Sequence, residues 1–185
     1  MYAVAHVSEE PAKAFNVAQI LIDHGADVKI KDANGETALE VMGITVKDVA
    51  IAQMLIDNGT DVGAGALVQA VRGANETIVG DLIDKGVDIN AQDDDGNTAL
   101  MIAAYNNHPE IARMLTDLGA DVNIPNNCGQ TALMVAAEYG DIAMVQDLID
   151  KGADVNFQDV RGRTALSYCQ SDVVMQLLKK HGARE

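Results

Sequence analysis

The run Asp93, Asp94, Asp95, Gly96, Asn97 places three carboxylates and an amide within five residues, a density of oxygen donors that suits a hard cation such as calcium. A helix–loop–helix calcium loop has glycine at its sixth position and carboxylates at its first and twelfth. With Gly96 sixth, those places fall to Ala91 and Ile102, so the essential ligands are missing. The same residues suit a tight reversal of the chain, in which Asp-Gly supplies the position of positive φ. Zinc chemistry meets a similar obstacle: His6, His24, His108 and His181 are scattered, and no two stand at the i, i+4 spacing of a zinc-binding helix. His24 and His181 instead precede Gly25 and Gly182, where a cation complements the end of a helix. Cys128 and Cys169 form neither a disulfide framework nor a CxxC site and read as free thiols, and no histidine lies near Cys128 in sequence to activate it. Gly63, Ala64, Gly65 lacks the Lys-Ser/Thr that completes a phosphate loop. No short motif supports catalysis, a metal site or a cofactor, and none is expected.

Composition narrows the partners. The 185 residues are 48% hydrophobic and 22% charged, within the range of a globular protein. A formal charge of −15 repels phosphate backbones and anionic membrane surfaces and favours a basic protein partner. No apolar run approaches the roughly 18 residues that cross a bilayer, and the first residues lack the basic-then-apolar pattern of a signal peptide. The expectation is a cytoplasmic, monomeric protein that binds neither nucleic acid nor membrane.

What positions these residues is an internal repeat. GNTALMIAAYNNHPEIARMLTDLGADVNI at Gly96 recurs as GQTALMVAAEYGDIAMVQDLIDKGADVNF at Gly129, an offset of 33 residues. Related copies start at Gly35 and Gly162. The glycines that close each copy, Gly25, Gly59, Gly86, Gly119, Gly152 and Gly182, count six repeats. The short interval from Gly59 to Gly86 arises where Gly63, Ala64, Gly65 replaces the usual turn segment, so one finger is missing or rebuilt. Each repeat reads as two short helices. In the copy at Gly96, Thr98 caps the first, which presents Leu100, Ala103 and Ala104 on one face. Pro109 starts the second, with Ile111, Met114, Leu115 and Leu118 at i, i+3, i+4 and i+7 and Gly119 at its left-handed end. A repeat this small cannot bury its apolar face alone, so neighbours complete the core, and Met101 and Met134 read as packing. The aspartates that close repeats, such as Asp121 and Asp154, are expected to find local turn partners.

The T-x-L-x-x-A-A motif (Thr98, Leu100, Ala103, Ala104; Thr131, Leu133, Ala136, Ala137; in part Thr37, Leu39 and Thr164, Leu166) and the G-A-D-V-N endings (Asp121, Val122, Asn123; Asp154, Val155, Asn156) resemble the ankyrin repeat over essentially the whole chain. The family's T-P-L-H is T-A-L-M at Thr98 to Met101 and Thr131 to Met134, a flavour more similar to bacterial ankyrin proteins than to animal ones. The resemblance implies an all-α solenoid of about six stacked helix-turn-helix repeats with short hairpin-like fingers, forming one domain over 1–185. The repeats span 1–31 (partial), 32–64, 65–92 (shortened finger), 93–125, 126–158 and 159–185 (terminal cap). Asn90, Asn123 and Asn156 fall where asparaginyl hydroxylases modify animal ankyrin repeats, although a turn role accounts for them.

The resemblance also implies a function: a protein-interaction scaffold whose fingers and first helices line a concave face, or alternatively a regulatory or inhibitory subunit of an enzyme. In this sequence that face comprises Asp94, Asp95, Asn97, Tyr105 and Asn106; Asn127, Cys128, Gln130, Glu138 and Tyr139; and Val160, Arg161, Arg163 and Tyr168. Tyr105 and Tyr139 stand at equivalent or adjacent positions of successive repeats in a chain with 3% aromatic residues, which marks them as interface anchors. Acidic Asp94 and Asp95 give way two repeats later to Arg161 and Arg163, a polarity that orients a partner.

Overall fold

Thr37, Thr98, Thr131 and Thr164 are buried, and each stands one residue before a helix. In the computed structural model, which describes residues 11–33, 35, 37–42, 49–59 and 64–184, the helices are α1 (Pro11–Asp23), α2 (Ala38–Met42), α3 (Val49–Asp57), α4 (Ala64–Arg72), α5 (Glu76–Asp84), α6 (Ala99–Tyr105), α7 (Pro109–Asp117), α8 (Ala132–Tyr139), α9 (Ile142–Asp150), α10 (Ala165–Tyr168) and α11 (Asp172–Lys180). Among the described residues strand structure is limited to an isolated antiparallel bridge between Gln92 and Thr98 at the root of one finger. No described helix is long and apolar enough to cross a membrane. Of the segment expected to replace the usual turn, Gly63 lies outside the described residues, and Ala64 and Gly65 are the first residues of α4.

Contacts gather the chain into two halves, Met1–Asp88 and Ile89–Glu185. In the first, α1 packs on α3, α3 on α5, α2 on α4, and α4 on α5. In the second, the first helices stack as α6, α8, α10 and the second helices as α7, α9, α11, with each pair α6–α7, α8–α9 and α10–α11 also in contact. Helix starts follow the sequence. The Thr98 hydroxyl accepts the Met101 N–H at 3.3 Å, and Pro109 occupies the first turn of α7, where a missing N–H costs nothing. Asn75 and Asp141 cap α5 and α9 in the same way, by accepting from Ile78 and Met144. Each second helix then ends on a left-handed glycine, Gly86, Gly119, Gly152 or Gly182.

The amphipathic reading of the first helices needs correction. Every residue from Ala99 to Ala104 in α6 and from Ala132 to Ala137 in α8 is buried, with α6 packed on α7 and α8, and α8 on α6, α9 and α10. Met101 and Met134, 2% and 0% exposed, are core. The second helices do bury a single stripe: Ile111, Ala112 and Leu115 in α7, and Met144, Val145 and Leu148 in α9. Met114 is only half-buried and Leu118 is 49% exposed, so Ala112 completes a stripe that spacing had extended to Leu118. α10 has 4 residues where α6 has 7 and α8 has 8, and Ser167, at the place of Met101 and Met134, is exposed.

Three successive fingers repeat one hydrogen-bond pattern. Asp93 Oδ1 accepts the N–H groups of Asp95 and Asn97, Asn126 Oδ1 those of Cys128 and Gln130, and Asp159 Oδ1 those of Arg161 and Arg163, all within 2.7–3.1 Å. The backbone closes each turn, with Gly96, Gly129 and Gly162 at φ between 74 and 78°. Adjacent fingers are also bonded to one another: Asn127 N donates to the Asp95 carbonyl at 3.0 Å and Val160 N to the Cys128 carbonyl at 3.2 Å. Gln92 Nε2 reaches the Pro125 carbonyl, and Asn127 Nδ2 the Asp94 carbonyl, both at 2.9 Å. Fingers therefore form a polar seam that runs beside the helical core.

This seam separates glycines that look alike in sequence. A Cβ on Gly129 would stand 2.7 Å from Val160 N and 2.9 Å from Asp159 Cα, whereas one on Gly162 would meet nothing within 4 Å. Gly162→Ala is expected to cost only its left-handed strain, roughly 1–2 kcal/mol, and Gly129→Ala distinctly more; chemical unfolding of both variants checks the order, and equal losses would mean that the neighbouring finger yields freely. At Ala74, a non-glycine residue with φ 52° follows the C-terminus of α4. Ala74→Gly is expected to stabilise by about 0.5–1 kcal/mol, since relief of strain exceeds the added entropy of glycine; an unchanged denaturation midpoint would contradict that sign.

Candidate protein-binding surface

The strongest polar cluster of the described surface surrounds Asp159. This carboxylate is wholly buried, yet its Oδ2 accepts from Arg163 Nε at 2.9 Å, from Arg163 Nη2 at 2.8 Å and from the Tyr168 hydroxyl at 2.7 Å. Arg163 Nη2 also donates to the Tyr168 oxygen, and the guanidinium carbon lies 4.4 Å from the centre of the Tyr168 ring, a cation–π arrangement. Burial alone would raise the pKa of Asp159. The Tyr168 hydroxyl, the N–H groups of Arg163 and Arg161 and the guanidinium together outweigh it and hold the carboxyl far below the usual carboxylate range. Arg163, expected at a partner's disposal, is thus engaged within its own finger, and Arg161 is the exposed cation there.

Other residues of the expected face divide the same way. Asn97 Oδ1 accepts from Asn126 Nδ2 at 2.9 Å and Asn127 is bonded to the preceding finger, so these two hold fingers together, while half-buried Gln130 is tied to Asn126 within its own finger. Asn106 closes α6 as its half-buried C-terminal residue. Asp94, Asp95, Cys128, Glu138 and Val160 are exposed, the last at 73%. Cys169 is half-buried, with its Sγ 3.1 Å from the Ser171 carbonyl.

Tyr105 and Tyr139 meet although 34 residues apart. They project from the C-terminal ends of α6 and α8, which pack side by side. The ring centres are 5.3 Å apart at 72°, edge to face, the favoured geometry for an aromatic pair. They remain 58% and 52% exposed. The Tyr105 hydroxyl beside it, with partial burial and the charge of Glu138, raises the Tyr139 phenol above its ordinary value. Packing therefore fixes two large amphipathic rings in mutual contact without covering them.

Two sets of polar residues escaped sequence reasoning. Asn90 Oδ1 accepts the Asp121 N–H, Asn123 Oδ1 the Asp154 N–H and Asn156 Oδ1 the Arg184 N–H, at 2.8–2.9 Å. Asn123 and Asn156 also donate through Nδ2 to the carbonyls of Gly152 and Gly182 at 3.1 Å. These asparagines clamp successive repeats, while the turn role expected for them belongs to Asp121 and Asp154, whose carboxylates accept the N–H two residues on. Ion pairs link second helices similarly: Lys85 with Asp57, Arg113 with Asp147 and Lys151 with Asp117. The signal for both sets is recurrence at near-constant offset, which single-residue inspection overlooks.

The Asp159 cluster carries a pH signature. Its folded pKa lies below the unfolded value of about 3.9, so its contribution is complete above about pH 4 and is lost as pH falls through the folded value. Asp159→Asn is expected to lower the thermal midpoint at pH 7 by more than Arg161→Ala does, and the deficit should shrink as the pH is lowered from 4 to 2. Circular-dichroism melts across that range check it, and a constant deficit would exclude an electrostatic origin.

The family described as Ankyrin repeats (3 copies), whose members are generally protein–protein interaction modules, matches residues 44–126, 67–159 and 118–184. No curated protein matches the sequence. With repeats of matching period, capping and finger geometry across these residues, the chain belongs to the ankyrin-repeat family.

Proposed function

We propose that the chain is a scaffold that binds a partner protein through the exposed fingers and first-helix ends of its carboxyl-terminal half, with Tyr105 and Tyr139 as anchors. The observation that carries this reading is the exposed edge-to-face pair. Two rings fixed against each other lose little conformational freedom on binding, and their apolar faces are still available to be desolvated. Tyrosine in such a setting is a favoured hot spot. Asp94, Asp95, Asn106, Cys128, Glu138 and Arg161 surround or flank the anchors in the chain and supply a polar periphery. Asn97, Asn127, Gln130 and Arg163 act one step back, by holding the fingers in place. The overall charge of −15 favours a basic partner surface and speeds encounter with it.

Affinity capture from extracts of the source organism, followed by a binding curve for the captured protein, tests the assignment. Tyr105→Ala with Tyr139→Ala is expected to weaken binding by about 30-fold or more while the helical spectrum is retained. Unchanged affinity in a folded double variant would move the binding surface elsewhere.

A further inference from the structure

The chain displays, within one finger, how it holds a guanidinium. Arg163 lies over the Tyr168 ring at 4.4 Å and is met by the Asp159 carboxylate at 2.8 Å, so a ring face and a carboxylate act together on one cation. The same two components recur on α8 and α6 without a cation. Tyr139 and Tyr105 stand at 72° to each other, so their faces bound a corner and do not lie stacked against one another. Glu138, the residue before Tyr139 at the end of α8, is exposed and puts a carboxylate next to that ring in the chain. Among the described residues no guanidinium or ammonium lies over the Tyr105 or Tyr139 ring.

We propose that the Tyr105–Tyr139 corner and the Glu138 carboxylate together seat an arginine side chain of the bound protein, copying outward the recognition that Asp159 and Tyr168 give Arg163. The inference rests on the surface assignment above and adds the chemistry of its occupant. Charge complementarity selects this occupant: an anionic chain with exposed Asp94 and Asp95 on a neighbouring finger repels an acidic segment. A planar guanidinium is preferred over an ammonium because it stacks on one ring while donating in its plane to a carboxylate.

The test uses the full chain and a defined probe, an acetylated, amidated Gly-Arg-Gly-Arg-Gly-Arg peptide, with its citrulline counterpart as the neutral isostere. Titration followed by ring-proton NMR is expected to shift the Tyr105 and Tyr139 resonances saturably. Citrulline, Glu138→Gln and Tyr139→Leu are each expected to weaken binding roughly fivefold, and Tyr139→Phe to preserve it. Equal binding of the citrulline peptide overturns the proposal, since the cation would then not be what is recognised; arginine binding indifferent to Glu138→Gln and Tyr139→Leu overturns it too, since attraction to net charge alone would give that result. A lysine peptide that binds as tightly as the arginine peptide overturns the guanidinium preference. Failure here, with partner capture still lost in the tyrosine double variant, refutes the arginine seat alone; retained capture in that variant refutes the surface assignment whatever the peptide does.

Discussion

A helix stretch with no face left for water needs neighbours around it, and α6 from Ala99 to Ala104 and α8 from Ala132 to Ala137 are such stretches, exposed only at their ends, at Tyr105, Glu138 and Tyr139. Neither could exist as a surface element of a lone repeat. Each packs on its own second helix and on a neighbouring first helix, so the burial of one repeat is completed by the next. The alanines at positions 103, 104, 136 and 137 are what make this possible, because small side chains let neighbouring helices approach closely. The one-sided second helices, with exposed charges on the opposite flank, then form the boundary with solvent.

Around that apolar constraint the polar groups are arranged to be satisfied across repeats. Finger carboxylates and amides absorb the N–H groups of their own turns, backbone groups join one finger to the next, and asparagines clamp the ends of second helices. Exposed ion pairs such as Arg113 with Asp147 follow the same spacing, though solvent leaves such pairs weak. Among the large apolar side chains that remain exposed in the described residues, the two tyrosines are the largest.

Much of this was legible in the sequence. The offset between Gly96 and Gly129, the threonines before each first helix and the closing glycines located every element of the carboxyl-terminal half, because capping and left-handed glycine are local physics. The pairing of Tyr105 with Tyr139 was foreshadowed by their places in consecutive repeats. Other features were hidden. That α6 is buried from Ala99 to Ala104 depends on the helices packed on it, α7 and α8 among them, and not on its own periodicity, so spacing could only suggest one face. Arg163 looked available because its partners Asp159 and Tyr168 are met only once the finger folds back on α10. Asn123 looked like a turn residue because its acceptor and donor lie about 30 residues further on.

The asparagine clamps have a directional consequence. Each takes its N–H from the repeat that follows, never from the one before, at separations of 28 to 31 residues. A copied repeat inserted in frame would therefore find the same donor ahead of it and offer the same acceptor behind, with no bond rewritten. An insertion of one residue between an asparagine and its donor would disturb that clamp and leave those of later repeats unchanged. Array length is in this sense a free variable, and a lineage can widen the surface it presents by duplication without redesigning the joint.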